Sequence, residues 1–293
     1  MLKINTQIIG YIDLYEIYLD EILKKTVYTT VFIGRDIKKD NKIIIKRLSN
    51  DINNFIDSEL NILKIIKESP HKNIITCFDI IETIDYTYII LEYCDIGDLT
   101  TVINNKIIDI EERENIAYNY FKQILEALKY LDDMNILHRD IKPTNILLKK
   151  SNNNIILKLC DFGLAKKRIL KRTSTICGSP LYMAPEIFIG NYDNNTDIWA
   201  LGMILYEMIF GVHPYYKCKD IDELTQNINI KIKIPNNISK YCKDLLEKML
   251  EPDISKRIIL CDIYEHKFIK NNNIIKNEEI NCKINDDMFI FEP

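Results

Sequence analysis

The residues of this chain that are best suited to chemistry lie in two short motifs, HRDIKPTN and DFG. In the first motif, the carboxylate of Asp140 can accept a proton from a hydroxyl group, and Lys142 is close enough to steady a phosphoryl group during transfer. Asn145 ends the first motif and Asp161 begins the second, and both carry the oxygen ligands that Mg²⁺ prefers. Together these side chains indicate phosphoryl transfer from a magnesium-bound nucleotide.

Further motifs follow these two in a definite order. The sequence APE ends at Glu186, the sequence DIWALG begins at Asp197, and Arg257 follows. Each motif alone is more often a turn than a site, but the ordered set resembles eukaryotic-type serine/threonine protein kinases over residues 14–269. The resemblance implies an enzyme that transfers the γ-phosphate of ATP to serine or threonine hydroxyls of a protein substrate, with Mg²⁺ as cofactor.

The resemblance also implies roles for residues near the reacting groups. Lys142 and the segment around Ser179 resemble serine/threonine kinases more than tyrosine kinases. Ser179 is expected to hydrogen-bond Asp140 and Lys142, with an ordinary turn serine as the alternative. Lys46 is the remaining catalytic candidate, and it is expected to contact the α and β phosphates while paired with Glu59.

Nucleotide contacts are assigned by the same resemblance. Leu91 takes the position behind the adenine, and the backbone at Glu92 and Cys94 takes the position of the hinge that binds it. Asp98 matches a residue that meets the ribose or a basic substrate residue, although a helix N-cap is equally plausible. Ile44 replaces the usual alanine and is expected to narrow the pocket. The predicted contacts are Leu23, Val31, Ile44, Lys46, Glu59, Leu91, Glu92, Cys94, Asp98, Asn145 and Asp161, of which the last two are also the predicted metal ligands.

The glycine-rich loop is the main departure from the family pattern. Lys24, Thr26 and Thr29 occupy the three glycine positions, and Tyr28 lies at the tip. Left-handed torsions at such positions cost other residues roughly 1–2 kcal/mol each, and a lost backbone contact to a phosphate costs about 1.5–3 kcal/mol. One lost contact lowers nucleotide affinity by roughly one to two orders of magnitude. We hypothesise that Lys24, as a cation near the nucleotide phosphates, replaces part of the attraction that the glycine-rich backbone would provide.

Two functions therefore remain open from the sequence. The first is an active kinase with a weakened nucleotide clamp, and the alternative is a pseudokinase that acts as a binding scaffold. Groups that stabilise the transition state affect the rate more than a covering loop does, and those groups are present. Kinase activity is accordingly the predicted function.

The segment after the DFG motif is predicted to be regulatory. Arg139 directly precedes the catalytic aspartate and can bind a phosphate added to this segment. Thr175 is the best placed acceptor, with Thr173 and Ser174 as alternatives. An upstream activating kinase or trans-autophosphorylation would supply the phosphate.

Two stretches give a finer resemblance. The sequences EYCDIGDL, which begins at Glu92, and CGSPLYMAPE, which begins at Cys177, are similar to those of the Unc-51-like, autophagy-initiating kinases. Aurora-like and calcium/calmodulin-type kinases share much of this pattern. A role in autophagy does not follow from it.

The elements that must position these residues are of two kinds. Apolar patterns predict strands at 31–33, 43–45 and 88–91 and helices at 55–66, 116–131 and 198–210. We therefore predict an α+β, bilobal protein-kinase-like fold, with a small β-rich N-lobe that has one main helix, a larger and mostly helical C-lobe, and a cleft between them. The predicted parts are an N-terminal extension (1–13), the kinase domain (14–269, with lobes of about 14–92 and 95–269) and a C-terminal tail (270–293).

Composition excludes several classes of protein. A hydrophobic content of 47% is enough for a buried core, and a net charge of -4 does not provide the positive field that nucleic-acid binding needs. The eight cysteines include no Cys-x-x-Cys pair, so neither a zinc site nor a disulfide framework is predicted. No stretch is apolar enough to be a membrane span. We therefore expect an intracellular protein, cytoplasmic or nuclear, without a nucleic-acid partner.

Overall fold

A computed structural model describes residues 8–51, 53–105, 109–152, 154–167, 178–190 and 195–270. Side chains are not described at 53–57. The chain divides into two compact units, Met1–Cys94 and Asp95–Pro293, which we call unit 1 and unit 2. The predicted regulatory acceptors Thr173, Ser174 and Thr175 and the tail residues 271–293 lie outside the described residues.

Unit 1 contains an antiparallel sheet of six strands. The strands are β1 (Ile9–Ile12), β2 (Tyr15–Lys25), β3 (Thr29–Asp36), β4 (Asn41–Ser49), β5 (Cys77–Glu82) and β6 (Tyr86–Glu92), in the order β1-β2-β3-β4-β6-β5. The three predicted strands are confirmed as parts of β3, β4 and β6. β1 begins at Ile9, so the sheet includes residues that the sequence analysis assigned to an N-terminal extension.

Alternation of buried and less buried residues along β3 and from Ile43 to Lys46 of β4 gives the sheet two different faces. One face carries a buried apolar cluster that includes Phe32, Ile43, Ile45 and Ile90. Register pairs Val31 with Lys46 and Ile44 with Leu91, so these four side chains share the opposite face. We call this opposite face the Lys46 face.

A single long helix of unit 1, α1, spans Asn53–Glu68 and confirms the predicted helix. Leu60, Ile62, Leu63 and Ile66 are buried along it. Leu63 follows Leu60 by three residues, and Ile66 follows Ile62 by four, so these side chains share one side of the helix, and α1 packs on β5.

Unit 2 combines short strands with helices. The strands are β7 (Gly97–Asp98), β8 (Ile136–Leu137), β9 (Ile146–Ser151), β10 (Asn154–Leu159) and β11 (Lys166–Lys167). The α-helices are α2 (Thr100–Ile103), α3 (Ile110–Asp133), α4 (Pro185–Phe188), α5 (Thr196–Phe210), α6 (Ile221–Asn227), α7 (Lys240–Met249), α8 (Leu260–Glu265) and α9 (Lys267–Lys270). Two 3-10 helices span Pro143–Asn145 and Pro180–Tyr182.

The helices α3 and α5 form the centre of unit 2 and confirm the two predicted helices. Every residue of α5 except Phe210 is buried, as expected for a helix that is apolar almost all round. The helix ends at Gly211, whose φ of 68° permits its N–H to bond the carbonyl of Glu207 at 2.8 Å. The guanidinium of Arg113, on α3, donates to the carbonyls of Ile103 and Met208 and joins the ends of α2 and α5.

Candidate active site

The candidate catalytic residues of unit 2 form one hydrogen-bonded group. The ammonium of Lys142 donates to Asp140 Oδ2 at 2.7 Å and to Ser179 Oγ at 2.8 Å. Ser179 Oγ in turn donates to Asp140 Oδ1 at 2.9 Å. The three side chains therefore close a ring, as the family resemblance implied for Ser179. Because both carboxylate oxygens accept hydrogen bonds, Asp140 is held in one orientation.

Asn145 is oriented by the same carboxylate. Its amide nitrogen donates to the Asp140 carbonyl at 2.8 Å and to Asp140 Oδ2 at 3.0 Å. Both hydrogen bonds use the nitrogen, so the amide oxygen takes no part in either of them. Such an oxygen is a suitable ligand for a hard cation.

A strand pair brings Asp161 to the same end of unit 2 as Asn145. Ile146 of β9 pairs with Leu159 of β10, and the backbone N–H of Cys160 then donates to the Asn145 carbonyl at 2.9 Å. Asp161 follows directly, with a left-handed φ of 65°. The two predicted metal ligands therefore lie at one end of one hairpin.

The backbone of the catalytic loop is braced from α5. The carboxylate of Asp197 accepts from the backbone N–H of His138 at 2.9 Å and from that of Arg139 at 3.0 Å. Arg139 has a φ of 69°, and such a torsion in a non-glycine residue costs about 1–3 kcal/mol. The imidazole of His138 also packs against Phe162 in a T-shaped contact, with ring centroids 5.1 Å apart. These contacts maintain the strained loop that carries Asp140.

Gly178 holds the Ser179 segment close to the same loop. Its φ is 115°, and a Cβ at this position would lie 2.8 Å from the backbone oxygen of Arg139. A glycine is therefore required both for the torsion and for the close approach.

We expect Gly178→Ala to lower the rate of phosphoryl transfer by about tenfold or more, because displaced Ser179 would no longer hold Asp140 and Lys142. Gly97→Ala is the matched control, since Gly97 has a similar φ of 102° but its Cβ would only meet Thr101 at 3.5 Å. Steady-state rates of both variants measure the effect of the clash apart from that of the torsion. Equal losses in the two variants would contradict this account.

A buried carboxylate anchors the other end of the Ser179 segment. The hydroxyl of Tyr182 donates to Glu207 Oε2 on α5 at 2.8 Å, and the ring of His213 packs edge-on against Tyr182. Burial raises the pKa of Glu207 to about 7, although the Tyr182 hydrogen bond opposes this shift. Burial lowers the pKa of His213 to about 4. His213 is therefore neutral near pH 7, and Glu207 titrates there.

We expect Glu207→Gln to stabilise the protein above neutral pH. The folded-state pKa of about 7 exceeds the ordinary value of 4.5. The protonated carboxyl therefore stabilises the folded state at low pH, and this stability is lost as the pH rises from about 4.5 to above 7. The loss amounts to roughly 3 kcal/mol. Glutamine carries no charge and can still accept the Tyr182 hydrogen bond. Denaturant unfolding at pH 5 and pH 8 measures the free energy of unfolding, which should decrease less between these pH values in the variant than in the wild type. Identical decreases would contradict the prediction.

Unit 1 carries the candidate nucleotide lysine. Lys46, on β4, donates to Glu59 Oε1 of α1 at 2.5 Å, and the two side chains are only 15% and 9% exposed. The structure thus brings together the predicted ion pair. Val31, Ile44 and Leu91 lie on the Lys46 face beside it.

The other predicted nucleotide residues are placed differently. Glu92 pairs with Ile43 on the face opposite Lys46, and its carboxylate accepts from the N–H and the hydroxyl of Thr76, both at 2.7 Å. Cys94 is the last residue of unit 1 and is partly exposed. Leu23 is 57% exposed and lies within a register shift of β2.

Asp98 lies in unit 2, at the end of β7. Its carboxylate accepts from the backbone N–H of Thr100 at 2.9 Å and from the Thr100 hydroxyl. The N-cap residue of α2 is Leu99, so Asp98, for which an N-cap role was the alternative prediction, lies one position before the N-cap and bonds the first residue of the helix. A role toward the ribose or a substrate remains a prediction.

The loop at the glycine positions forms a tight turn without left-handed residues. None of residues 24–29, all of which the structure describes, has a positive φ. The expected torsional penalty for losing the glycines therefore does not arise. Instead, the N–H of Thr26 donates to the Thr29 carbonyl at 2.8 Å, and the N–H of Thr29 donates to Thr26 Oγ1 at 3.1 Å.

Two features are absent from the ranges that the structure describes. No group of three or more His, Cys, Asp or Glu side chains in these ranges is arranged to hold a metal ion. No helix in them is both long and apolar enough to cross a membrane.

Sequence reasoning missed Glu207 and Tyr182. The available signal for Glu207 was a single carboxylate within the apolar run from Ile198 to Phe210. A charge at such a position is expected to have a partner, because an unpaired buried charge is costly. Its partner, Tyr182, is 25 residues away in sequence and could not be identified from the helix alone.

The fold and the catalytic group together define a protein kinase domain. Residues 21–269 match the protein kinase domain family, and the chain belongs to this family. The predicted α+β protein-kinase fold class is thereby confirmed.

Individual relatives agree with the finer resemblance. The chain is 39% identical over 269 residues to serine/threonine-protein kinase atg1 of Dictyostelium discoideum, which confirms the predicted similarity to Unc-51-like kinases. It is 38% identical over 280 residues to the R517/R518 protein of Acanthamoeba polyphaga mimivirus and 32% identical over 266 residues to myosin light chain kinase A of Dictyostelium discoideum. These alignments cover 87%, 84% and 86% of this chain. The chain spans 40% of the length of atg1, 61% of the mimivirus protein and 88% of the myosin light chain kinase.

Proposed function

We propose that the protein is a serine/threonine protein kinase that transfers the γ-phosphate of ATP to protein hydroxyls. The single observation that carries the proposal is the ring of hydrogen bonds among Asp140, Lys142 and Ser179. In this group a carboxylate and an ammonium lie side by side, and each is fixed by a second partner. A pre-oriented base beside a fixed cation is the arrangement that phosphoryl transfer to a hydroxyl requires.

Each catalytic residue has a defined task in this proposal. Asp140 accepts the proton of the substrate hydroxyl as its oxygen attacks the γ-phosphorus. Lys142 neutralises charge on the transferred group, and its bond to Ser179 keeps it from turning toward solvent. Lys46 binds the α and β phosphates, with Glu59 fixing the direction of its ammonium.

The residues present fit a magnesium ion. Mg²⁺ is usually bound by one or two protein oxygens, with substrate phosphates and waters completing the octahedron. The amide oxygen of Asn145 and the carboxylate of Asp161 supply that number of hard ligands at one end of the β9–β10 hairpin. When bound, the ion would neutralise the charge of the phosphate oxygens.

A scaffold without catalysis is the second candidate function, and one observation favours it. The amide N–H groups of Thr26 and Thr29 are used within their own turn. Fewer amides are then available to cradle phosphates, so nucleotide binding is expected to be weaker than with a glycine-rich loop. Weakened clamping is our proposal for the active enzyme, and loss of binding altogether would leave a pseudokinase.

Incorporation of labelled phosphate from ATP into a generic protein substrate tests the proposal. We expect incorporation that requires Mg²⁺, is abolished by a chelator, and appears on serine or threonine after acid hydrolysis. The Asp140→Asn variant is the control for contaminating kinases. Equal incorporation by the wild type and this variant would favour the scaffold.

The same assay addresses regulation. We propose that phosphorylation at Thr175, Thr173 or Ser174, by an upstream kinase or in trans between copies of this chain, activates the enzyme. Mass spectrometry of the purified protein before and after incubation with Mg-ATP would identify the modified residue. Full activity of protein that carries no phosphate in this segment would contradict the proposal.

A further inference from the structure

The register of β2 against β3 places Lys24 on the Lys46 face. Ile22 pairs with Phe32, whereas Lys24 pairs with Val31, so two steps along β2 match one step along β3. Such a bulge reverses the face on which the following side chain lies. Without it, Lys24 would share the face of Ile22 and Phe32, because residues two apart on a regular strand point the same way.

Val31 connects the two lysines across the sheet. It pairs with Lys24 on one side and with Lys46 on the other. Two strand spacings separate the Cα atoms of the two lysines by about 10 Å. Lysine has a long, flexible stem, so both ammonium groups can contact one triphosphate between them. Lys24 is exposed, whereas Lys46 is already oriented by Glu59.

The turn that follows β2 uses part of its backbone hydrogen-bonding capacity within itself. Thr26 and Thr29 use their N–H groups inside the turn, and the Tyr28 carbonyl accepts from the N–H of Ser49 at 2.9 Å. These contacts fix the turn on β4. In a glycine-rich loop, backbone N–H groups approach the phosphates. Here the N–H groups of Thr26 and Thr29 are used within the turn, so a side chain on this side can supply attraction for a phosphate that these two amides do not.

We propose that Lys24 binds the nucleotide phosphates in place of these missing backbone contacts. The inference rests on the proposed function, since it assumes that ATP is the ligand. The β2 bulge is what makes this replacement possible, because it moves the Lys24 side chain from the face that carries Phe32 and the apolar cluster to the Lys46 face. A lysine ammonium attracts the phosphates through its charge as well as through hydrogen bonds, so its contact is stronger than that of a neutral donor.

The neighbouring lysine provides a matched control. Lys25 pairs with Thr30, and adjacent residues of a strand lie on opposite faces. Lys24→Ala and Lys25→Ala therefore remove the same charge from the same strand, but only the first removes it from the Lys46 face. Both side chains are exposed, so neither substitution is expected to unfold the protein.

Direct binding measurements on the full chain test the inference. Titration calorimetry with Mg-ATP should give a dissociation constant about tenfold higher for Lys24→Ala and a change of less than about twofold for Lys25→Ala. Adenosine, which has no phosphate, should bind all three proteins equally. Lys24→Arg keeps the charge and should retain most of the affinity.

The outcomes separate the inference from the proposed function. The role of Lys24 would be overturned if both alanine variants weakened ATP binding equally, or if Lys24→Ala weakened the binding of ATP and adenosine equally. Either result would leave the proposed kinase activity intact. A wild-type protein that binds ATP with the expected Lys24 dependence but transfers no phosphate would overturn the kinase proposal alone. A wild-type protein that binds no ATP would overturn both.

Discussion

Asp140→Asn is expected to lower kcat for phosphoryl transfer by about 10²- to 10⁴-fold, which is the usual contribution of a positioned general base. Asparagine has nearly the same shape but cannot accept the proton of the attacking hydroxyl. The carboxylate also receives hydrogen bonds from Lys142, Asn145 and Ser179, so an amide would face one of these donors with its own N–H₂ group. The decrease in kcat should therefore be larger than the decrease caused by removing the proton acceptor alone.

The measurement is a steady-state rate at saturating Mg-ATP, together with the affinity for ATP. We expect the affinity to change by less than about threefold, because Asp140 binds no part of the nucleotide in the proposed mechanism. Asp133→Asn is the matched control, since it removes an exposed carboxylate that is paired with Lys129 on α3. A rate for Asp140→Asn within threefold of the wild type would exclude Asp140 as the base.

Arg257→Met is expected to destabilise unit 2 by about 3–5 kcal/mol, the usual cost of leaving a buried charge without its partner. Arg257 is fully buried, and its guanidinium makes two bonds to Glu186, at 2.6 and 2.8 Å. Its other three N–H groups donate to the carbonyls of Glu251, Asn195 and Pro252. All five donors are thus used, and the variant leaves an unpaired buried carboxylate and three carbonyls.

Denaturant unfolding monitored by tryptophan fluorescence measures this loss, because Trp199, the single tryptophan, lies under the guanidinium at 5.0 Å. Arg257→Lys, which keeps the charge but not the planar fork, should lose less and remains measurable if the methionine variant does not fold. Lys129→Met is the control, since its pair with Asp133 on α3 is exposed and should be worth less than about 1 kcal/mol. Equal losses at the buried and the exposed site would contradict the prediction.

Runs of apolar residues were a reliable guide to the elements β3 and α5. The β-branched and apolar run at 31–33 predicted the strand that is β3, and the longer apolar run at 198–210 predicted the helix α5. β1 was missed, because its four residues form a strand only by pairing with β2. Short edge strands are defined by the partner and not by their own sequence.

The motifs predicted Asp140, Lys142 and Asn145 as catalytic residues, because residue type and short spacing determine much of their chemistry. They did not reveal the inward hydrogen bonds of Thr26 and Thr29, nor the burial that raises the pKa of Glu207. The motifs also led to an overestimate of the torsional penalty for replacing the three glycines. Without positive φ angles, the turn does not need glycine.

By itself, the sequence determined the family, the types of the long elements and the chemical groups available for phosphoryl transfer. These follow from residue identity and from repeats within short segments, and they do not depend on contacts with distant parts of the chain. Only the tertiary structure decided which face of the sheet Lys24 occupies and which side chain accompanies Glu207. Strand register and burial are set by contacts between residues that are distant in sequence, and a one-residue shift in register exchanges the two faces.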